Sequence, residues 1–230
     1  MGCIDRKTYI NTLKFTGIMK TKKILALLLM SFSIQLLASC TKTEADNLKS
    51  EITSDDRQNL LFMLEEEKLA RDTYIYLNNL YQVNQFANIQ QSEQRHMDAI
   101  AGLLDSQGIE YTILPEGQFS DATLQNLYNS FVEEGKKGIV EAYKIGATIE
   151  DVDIFDLTEK TAATTNESII AVFDNLKCGS GNHMRSFCAA LNSNGVEYTA
   201  QFISPEELET ILAGTNGGCG NGKGYGNGKK

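Results

Sequence analysis

Tryptophan is absent from the chain, and proline and histidine occur twice each. Pro115 and Pro205 both fall in segments that read as connections, so the rest is free of helix breakers. Long proline-free stretches permit long helices and argue against a turn-rich β-sandwich. No Cys-x-x-Cys pair and no Cys/His cluster marks a zinc site. Among the five cysteines, Cys178, Cys188 and Cys219 lie beyond the N-terminal region, and an odd set of three predicts no disulfide framework. Cys178 and Cys188 sit ten residues apart on one predicted helix. That is about 15 Å along the axis, too far for a bridge. Cys219 can reach either one from the tail, but no spacing demands it. Positive charge is scarce as well. Residues 1–39 hold six basic residues and one acidic, which leaves 15 basic against 29 acidic on 40–230, a net charge of −14. A surface this acidic is repelled by phosphate backbones, which disfavours nucleic-acid binding by charge.

The first forty residues read as an address. Lys20, Lys22 and Lys23 precede the apolar run Ile24 to Leu37, which ends in Leu37-Ala38-Ser39-Cys40. A basic start, a short apolar stretch and small residues before a cleavage point make a secretory signal. The run falls short of the roughly 20 residues of a transmembrane helix. Leu-Ala-Ser-Cys resembles the bacterial lipobox. That resemblance implies a lipidated Cys40 as the mature N-terminus, a membrane anchor, and a place in the bacterial cell envelope, periplasmic or at the surface. Met19 is then the expected start. The chain divides into a leader at 1–39, a polar tether at 40–54, a helical domain at 55–213 and a Gly-rich tail at 214–230. The tail, with 8 of the 19 glycines, is expected to be flexible.

Four long helical patterns cover roughly 55–80, 85–107, 139–164 and 167–194, with apolar residues at helical spacing in each. The first two are joined by a few residues near Tyr81–Asn84, and the last two meet at Asn166, so each pair is an antiparallel hairpin. About thirty residues separate the hairpins, including Pro115 and a short amphipathic stretch at Ala122–Glu134. A link of that size can run the full length of a bundle. The expected fold is all-α: a four-helix bundle of two hairpins with one long crossover, the ferritin-like topology. Ser204-Pro205 caps a further short helix.

An internal repeat locates the histidines. His96–Thr112 aligns without a gap on His183–Thr199, with eight of seventeen positions identical. Both histidines of the chain therefore occupy equivalent places in two related hairpins, and a pseudo-twofold bundle brings them to a shared centre. The core-facing stripes are interrupted near mid-helix by Glu67 on the first helix and by Glu93 and His96 on the second. Glu150 and Asp153 interrupt the third, and Ser180 and His183 the fourth. Glu93 and His96 are three apart and so share a face. Buried carboxylates cost several kcal/mol unless paired. Two divalent metal ions balance the four negative charges of Glu67, Glu93, Glu150 and Asp153. Carboxylate and imidazole ligands together suit iron or manganese. Taken singly, Glu65-Glu66-Glu67 also fits a solvated face, Glu67 and Arg71 fit a surface ion pair, and Glu150-Asp151-x-Asp153 fits an exposed stretch.

These residues resemble the ferritin-like superfamily, with rubrerythrin the nearest characterised member. Glu67-Lys-Leu-Ala-Arg-Asp-Thr-Tyr74 is similar to that family's first-helix ligand segment, and Ser92-Glu93-Gln-Arg-His96 to its second-helix Glu-x-x-His. Glu150-x-x-Asp153 is similar to its third-helix carboxylates, and Asn182-His183-Met-Arg-Ser-Phe187 to the end of its fourth-helix motif. The stretch from about 55 to 198 is closer still to a branch of that superfamily that is a domain of unknown function in bacteria and archaea. The resemblance implies a two-iron carboxylate site that oxidises Fe(II) with O2 or reduces peroxide. Glu67 and Glu150 would be terminal ligands, Glu93 a bridge, and His96 and His183 the nitrogen ligands, with Tyr74 and Tyr143 behind them. Ser180 stands where the family has a fourth-helix Glu that bridges or chelates the second metal, so the second ion should be weaker unless Asp153 compensates. No rubredoxin-like module supplies electrons. A metal-sequestering protein without catalysis and a structural lipoprotein with a vestigial site are the rival expectations. A closed cage sits poorly with a tether at one end, whereas a homodimer remains compatible.

Overall fold

The computed structural model describes residues 52–215 together with 218 and 219, and all its regular elements are helices. The leader, Cys40, most of the tether and most of the tail lie outside the described residues.

Helix α1 (Ser54–Tyr81) starts at a capping box in which Thr53 and Asp56 satisfy each other's backbone N–H groups. It stops at Gln82, whose φ of 53° is left-handed and whose N–H donates to Asn78 O at 2.8 Å. Helix α2 (Asn84–Ser106) follows at once. Helix α3 (Ala122–Gly135) is capped by Asp121 and lies within the crossover. Helices α4 (Ile139–Ala162) and α5 (Glu167–Ser193) form the second hairpin, with Asn166 capping α5. Ser204 caps the short α6 (Pro205–Ala213). The repeat ends in matched Schellman closures. Ile109 N–H donates to Leu104 O and Val196 N–H to Leu191 O, both at 3.0 Å. Gly108 and Gly195 supply the positive φ these closures need.

Within each hairpin α1 packs on α2 and α4 on α5. The hairpins meet through α1 against α4 and α2 against α5. Helix α3 covers α1 and α4, and α6 rests on α5. The outer face of α1 holds the crossover down. Lys68 and Asp72 are buried as a pair 2.5 Å apart. Lys68 donates to Pro115 O and Gln118 O, each at 3.0 Å, and its Nζ stands over the Phe119 ring. Asp72 accepts from Gly117 N–H, and Glu65 accepts from Ser120 and Asp121 N–H. The run Glu65-Glu66-Glu67 is therefore no solvated face: Glu66 and Glu67 are buried, and Glu65 caps the crossover. Arg71 turns to Asp72 and Gln94.

Asp151 is also buried, against the reading of an exposed acidic stretch. It accepts from Tyr198 OH and from the N–H groups of Gln201, Phe202 and Ile203, which fastens the segment after α5 to α4.

The expectation of no disulfide is corrected. Cys178 and Cys219 are bonded, with Cα atoms 5.6 Å apart. Helical periodicity carries no signal for a bridge that spans 41 residues and ends in a Gly-rich segment. The partner that brings the chain back is Arg185, which donates to Ile211 O and Thr215 O. Cys188 is free and buried, and burial pushes its thiol up to about 11. No described helix is long and apolar enough to cross a membrane.

Candidate metal centre

The bundle interior is layered. At one end Leu60, Met63, Ile100, Leu157, Phe173 and their neighbours form an aliphatic cluster. At the other, Tyr74, Phe86, Tyr143 and Phe187 stack with ring centroids 5.3–6.1 Å apart. Between them lies a polar layer drawn from all four long helices: Glu67, Glu93, His96, Glu150, Asp153, Ser180 and His183, every one buried. The apolar slabs flank it on either side, and burial of its side chains strengthens electrostatic interaction inside.

Glu93 occupies the middle. Its Oε2 is 2.8 Å from His96 Nδ1, and its Oε1 is 2.8 Å from His183 Nδ1. His96 Nδ1 is also 3.2 Å from Glu67 Oε2, and His183 Nδ1 is 3.4 Å from Glu150 Oε2. The two rings stack with centroids 5.5 Å apart. Two triads result, Glu67–Glu93–His96 and Glu93–Glu150–His183, each with ligand atoms within 4.8 Å of one another and with Glu93 shared. Tyr74 OH donates to Glu150 Oε1 at 2.5 Å. Tyr143 belongs to the aromatic layer, its ring against Phe86. Asp153 stands outside both triads. Its Oδ2 accepts from Ser180 Oγ at 2.5 Å, and the same Oγ lies 3.0 Å from Leu176 O.

Several buried oxygens and one nitrogen in this layer have no hydrogen bond: Glu67 Oε1, Glu93 Oε1, Asp153 Oδ1 and His183 Nδ1. Glu93 Oε1 and His183 Nδ1 are 2.8 Å apart without hydrogen-bond angles. Atoms that face a common point rather than each other have this geometry. Adjacent ligands on an octahedral ion with bonds of about 2.1 Å stand about 3 Å apart. The donor set, carboxylate oxygen with imidazole nitrogen, fits a divalent transition metal.

Without a cation, protons compensate the charge. Burial alone would raise the Glu93 carboxyl, but His183 and His96 hold it well below its usual range. Burial raises Glu67 to about 7, against the pull of His96. Burial raises Asp153 well above the carboxylate range, and Glu67 and Glu150 add to it. Burial also raises Glu150, against the pull of His183. Burial disfavours charge on His183, yet Glu93 and Glu150 bring it up to about 10. His96 is likewise raised by Glu93 and Glu67 against burial.

Three contributors escape a reading by sequence. Glu66 is pushed up by burial and by Asp156 and lies next to the layer. Asp156, one turn beyond Asp153, pairs with Lys160 at 3.1 Å. The spacing Asp153-x-x-Asp156 is the only signal for it. Gly179 lies against His96: a Cβ there would stand 2.5 Å from Nε2. A pocket of about 320 Å³ opens between α2 and α5 and reaches both imidazoles, with Ser92, Arg95, Asn182 and Cys219 on its walls. A wider depression of about 900 Å³ near Arg57 and Tyr111 holds none of these groups.

The model of an uncharacterised protein domain, DUF2202, matches residues 56–215. The uncharacterised protein MJ0754 of Methanocaldococcus jannaschii is 46% identical over 167 residues, which span 72% of this chain and 90% of that protein. The crystal structure of hypothetical protein MJ0754 from Methanococcus jannaschii superposes with a TM-score of 0.72 at 44% identity, covering 74% of this chain and 98% of that one.

Proposed function

The chain belongs to the DUF2202 family, and from that premise we propose that it is a ferritin-like protein binding two divalent metal ions, iron foremost and manganese as the substitute, inside its bundle. The observation that carries the reading is the pair of buried triads sharing Glu93. Glu67, Glu93 and His96 hold one ion, and Glu93, Glu150 and His183 the other. Asp153 restores the fourth negative charge, its Oδ1 turned free of hydrogen bonds while Ser180 fixes Oδ2.

When bound, a pair of iron ions supplies one-electron chemistry toward O2 or peroxide. The protein's own groups do the rest. Glu93 holds a separate oxygen 2.8 Å from each imidazole. Tyr74 OH orients Glu150 and is a proton donor at its Oε1. The aliphatic and aromatic slabs close the layer on two sides, and the pocket between α2 and α5 is the approach to it. In this reading Leu37-Ala38-Ser39-Cys40 is processed so that a lipid on Cys40 tethers the bundle in the cell envelope; mass spectrometry of the mature protein and release of C40A from membranes test that part.

The main test is metal analysis of protein purified without chelators, followed by anaerobic Fe(II) titration and exposure to O2. Two ions per chain and an O2-dependent rise in near-ultraviolet absorbance are expected. A protein that takes up no iron sinks the proposal. Ser180 favours a second reading, sequestration of one ion without turnover, because a hydroxyl brings no charge where a carboxylate would bridge. One tightly bound ion and no absorbance change select it.

A further inference from the structure

Reduction of peroxide consumes two electrons, which a donor must deliver to the centre. The structure places a two-electron couple beside the imidazoles. Each histidine turns Nδ1 toward the carboxylates, and both rings reach the wall of the pocket between α2 and α5. The pocket between α2 and α5 is lined by His96, His183 and Cys219 together. Cys219 Sγ is 3.2 Å from Asn182 Nδ2, and Asn182 immediately precedes His183. Cys178, the other half of the disulfide, immediately precedes Gly179, the residue on which His96 Nε2 closes. Cys178 is thus joined to the residue that His96 meets, and Cys219 hydrogen-bonds the residue before His183 and shares the pocket with both imidazoles.

Resting on the metal reading above, we propose that Cys178 and Cys219 are the redox partner of the centre, a dithiol that becomes the observed disulfide when its two electrons reach peroxide. The balance is two Cys–SH plus H2O2 giving Cys–S–S–Cys plus two H2O. The O–O bond breaks, the S–S bond forms, and the two thiol protons leave in water. An external dithiol then restores the couple by exchange at Cys178, which is exposed on α5. Cys188 takes no part: it is buried behind Met184 in the hydrophobic interior.

The test uses the full chain. The protein is reduced with dithiothreitol, desalted anaerobically, loaded with Fe(II) and given one equivalent of hydrogen peroxide. Alkylation and peptide mapping then follow the thiols. One Cys178–Cys219 disulfide per peroxide is expected, formed at least tenfold faster than in the same protein without iron. Peroxide consumed while both cysteines stay alkylatable overturns the proposal, as do equal rates with and without iron. C219S separates the two readings. It should bind iron as the unaltered chain does but reduce only the peroxide its loaded iron can, with no further turnover on adding dithiol. Iron bound with unchanged thiols sinks this inference alone, whereas no iron bound sinks the metal reading with it.

Discussion

The two hairpins share a repeated pattern and bring different chemistry to the shared layer. In the first, α1 contributes Glu67, and α2 contributes Glu93 and His96. In the second, α4 contributes Glu150 and Asp153, and α5 contributes Ser180 and His183. The position three residues before the histidine is a carboxylate on α2 and a hydroxyl on α5. The lost charge reappears on the neighbouring helix as Asp153, and the hydroxyl holds it at 2.5 Å. Each hairpin thus brings two carboxylates and one imidazole, with the second carboxylate on a different helix of the pair. The consequence is unequal electrostatics. Glu93 lies between two imidazoles that keep it ionised, whereas Asp153 faces Glu67 and Glu150 and is pushed up.

Removing the shared member breaks both halves at once. E93A should take bound divalent ions from two to none by elemental analysis. It should also destabilise the metal-free protein by about 3–5 kcal/mol in denaturant, because two buried imidazoles lose their counter-charge. The asymmetric member comes next. D153N keeps an acceptor for Ser180, so the fold should survive, while the affinity of the second ion falls about tenfold, roughly 1.4 kcal/mol, in a competitive titration. Should both sites keep their affinity, Asp153 does not substitute for the missing glutamate.

Acidity sharpens the contrast between the metal-free and loaded forms. Glu67 titrates near 4.5 unfolded and about 7 folded, so its contribution is full below 4.5 and lost as pH rises through 7. His183 titrates near 6.5 unfolded and about 10 folded, so its contribution is full below 6.5 and lost as pH rises through 10. Both slopes have the same sign. Metal-free protein should melt several degrees lower at pH 9 than at pH 6, at roughly 2–4 °C per kcal/mol. Metal affinity runs the other way, because binding displaces those protons. The smallest effect is steric. In G179A the new Cβ would stand 2.5 Å from His96 Nε2, and the ring must shift. A cost of about 1–3 kcal/mol follows, with loss of affinity at the Glu67–Glu93–His96 triad first. G181A, where a Cβ meets nothing closer than 3.9 Å, serves as the control.

Much of the layer was readable because a helix is periodic. Glu93 and His96 share a face by spacing alone, and the gapless repeat puts His183 at the equivalent height. The bundle's helix ends lie within a residue or two of the expected ones, and Ser204 caps its short helix in structure as in sequence. What escaped is whatever depends on packing between distant segments. Glu65, Lys68 and Asp72 look like an ordinary charged helix face until the crossover lies on them. Asp151 looks exposed until four donors from residues 198–203 converge on it. Gly179 gives no signal in the sequence, and only the structure shows an imidazole standing where its side chain would be.

By itself the chain determined its helices, their pairing into hairpins, and the height at which acidic side chains and imidazoles interrupt the apolar stripes. Local periodicity and capping act over a few residues, and those residues are all present in one stretch. Only the tertiary structure decided that Glu93 stands between both histidines, that Ser180 works through Asp153, and that Cys219 returns to Cys178. Such contacts depend on how far helices approach and where a loop comes back, and no spacing along one segment encodes them.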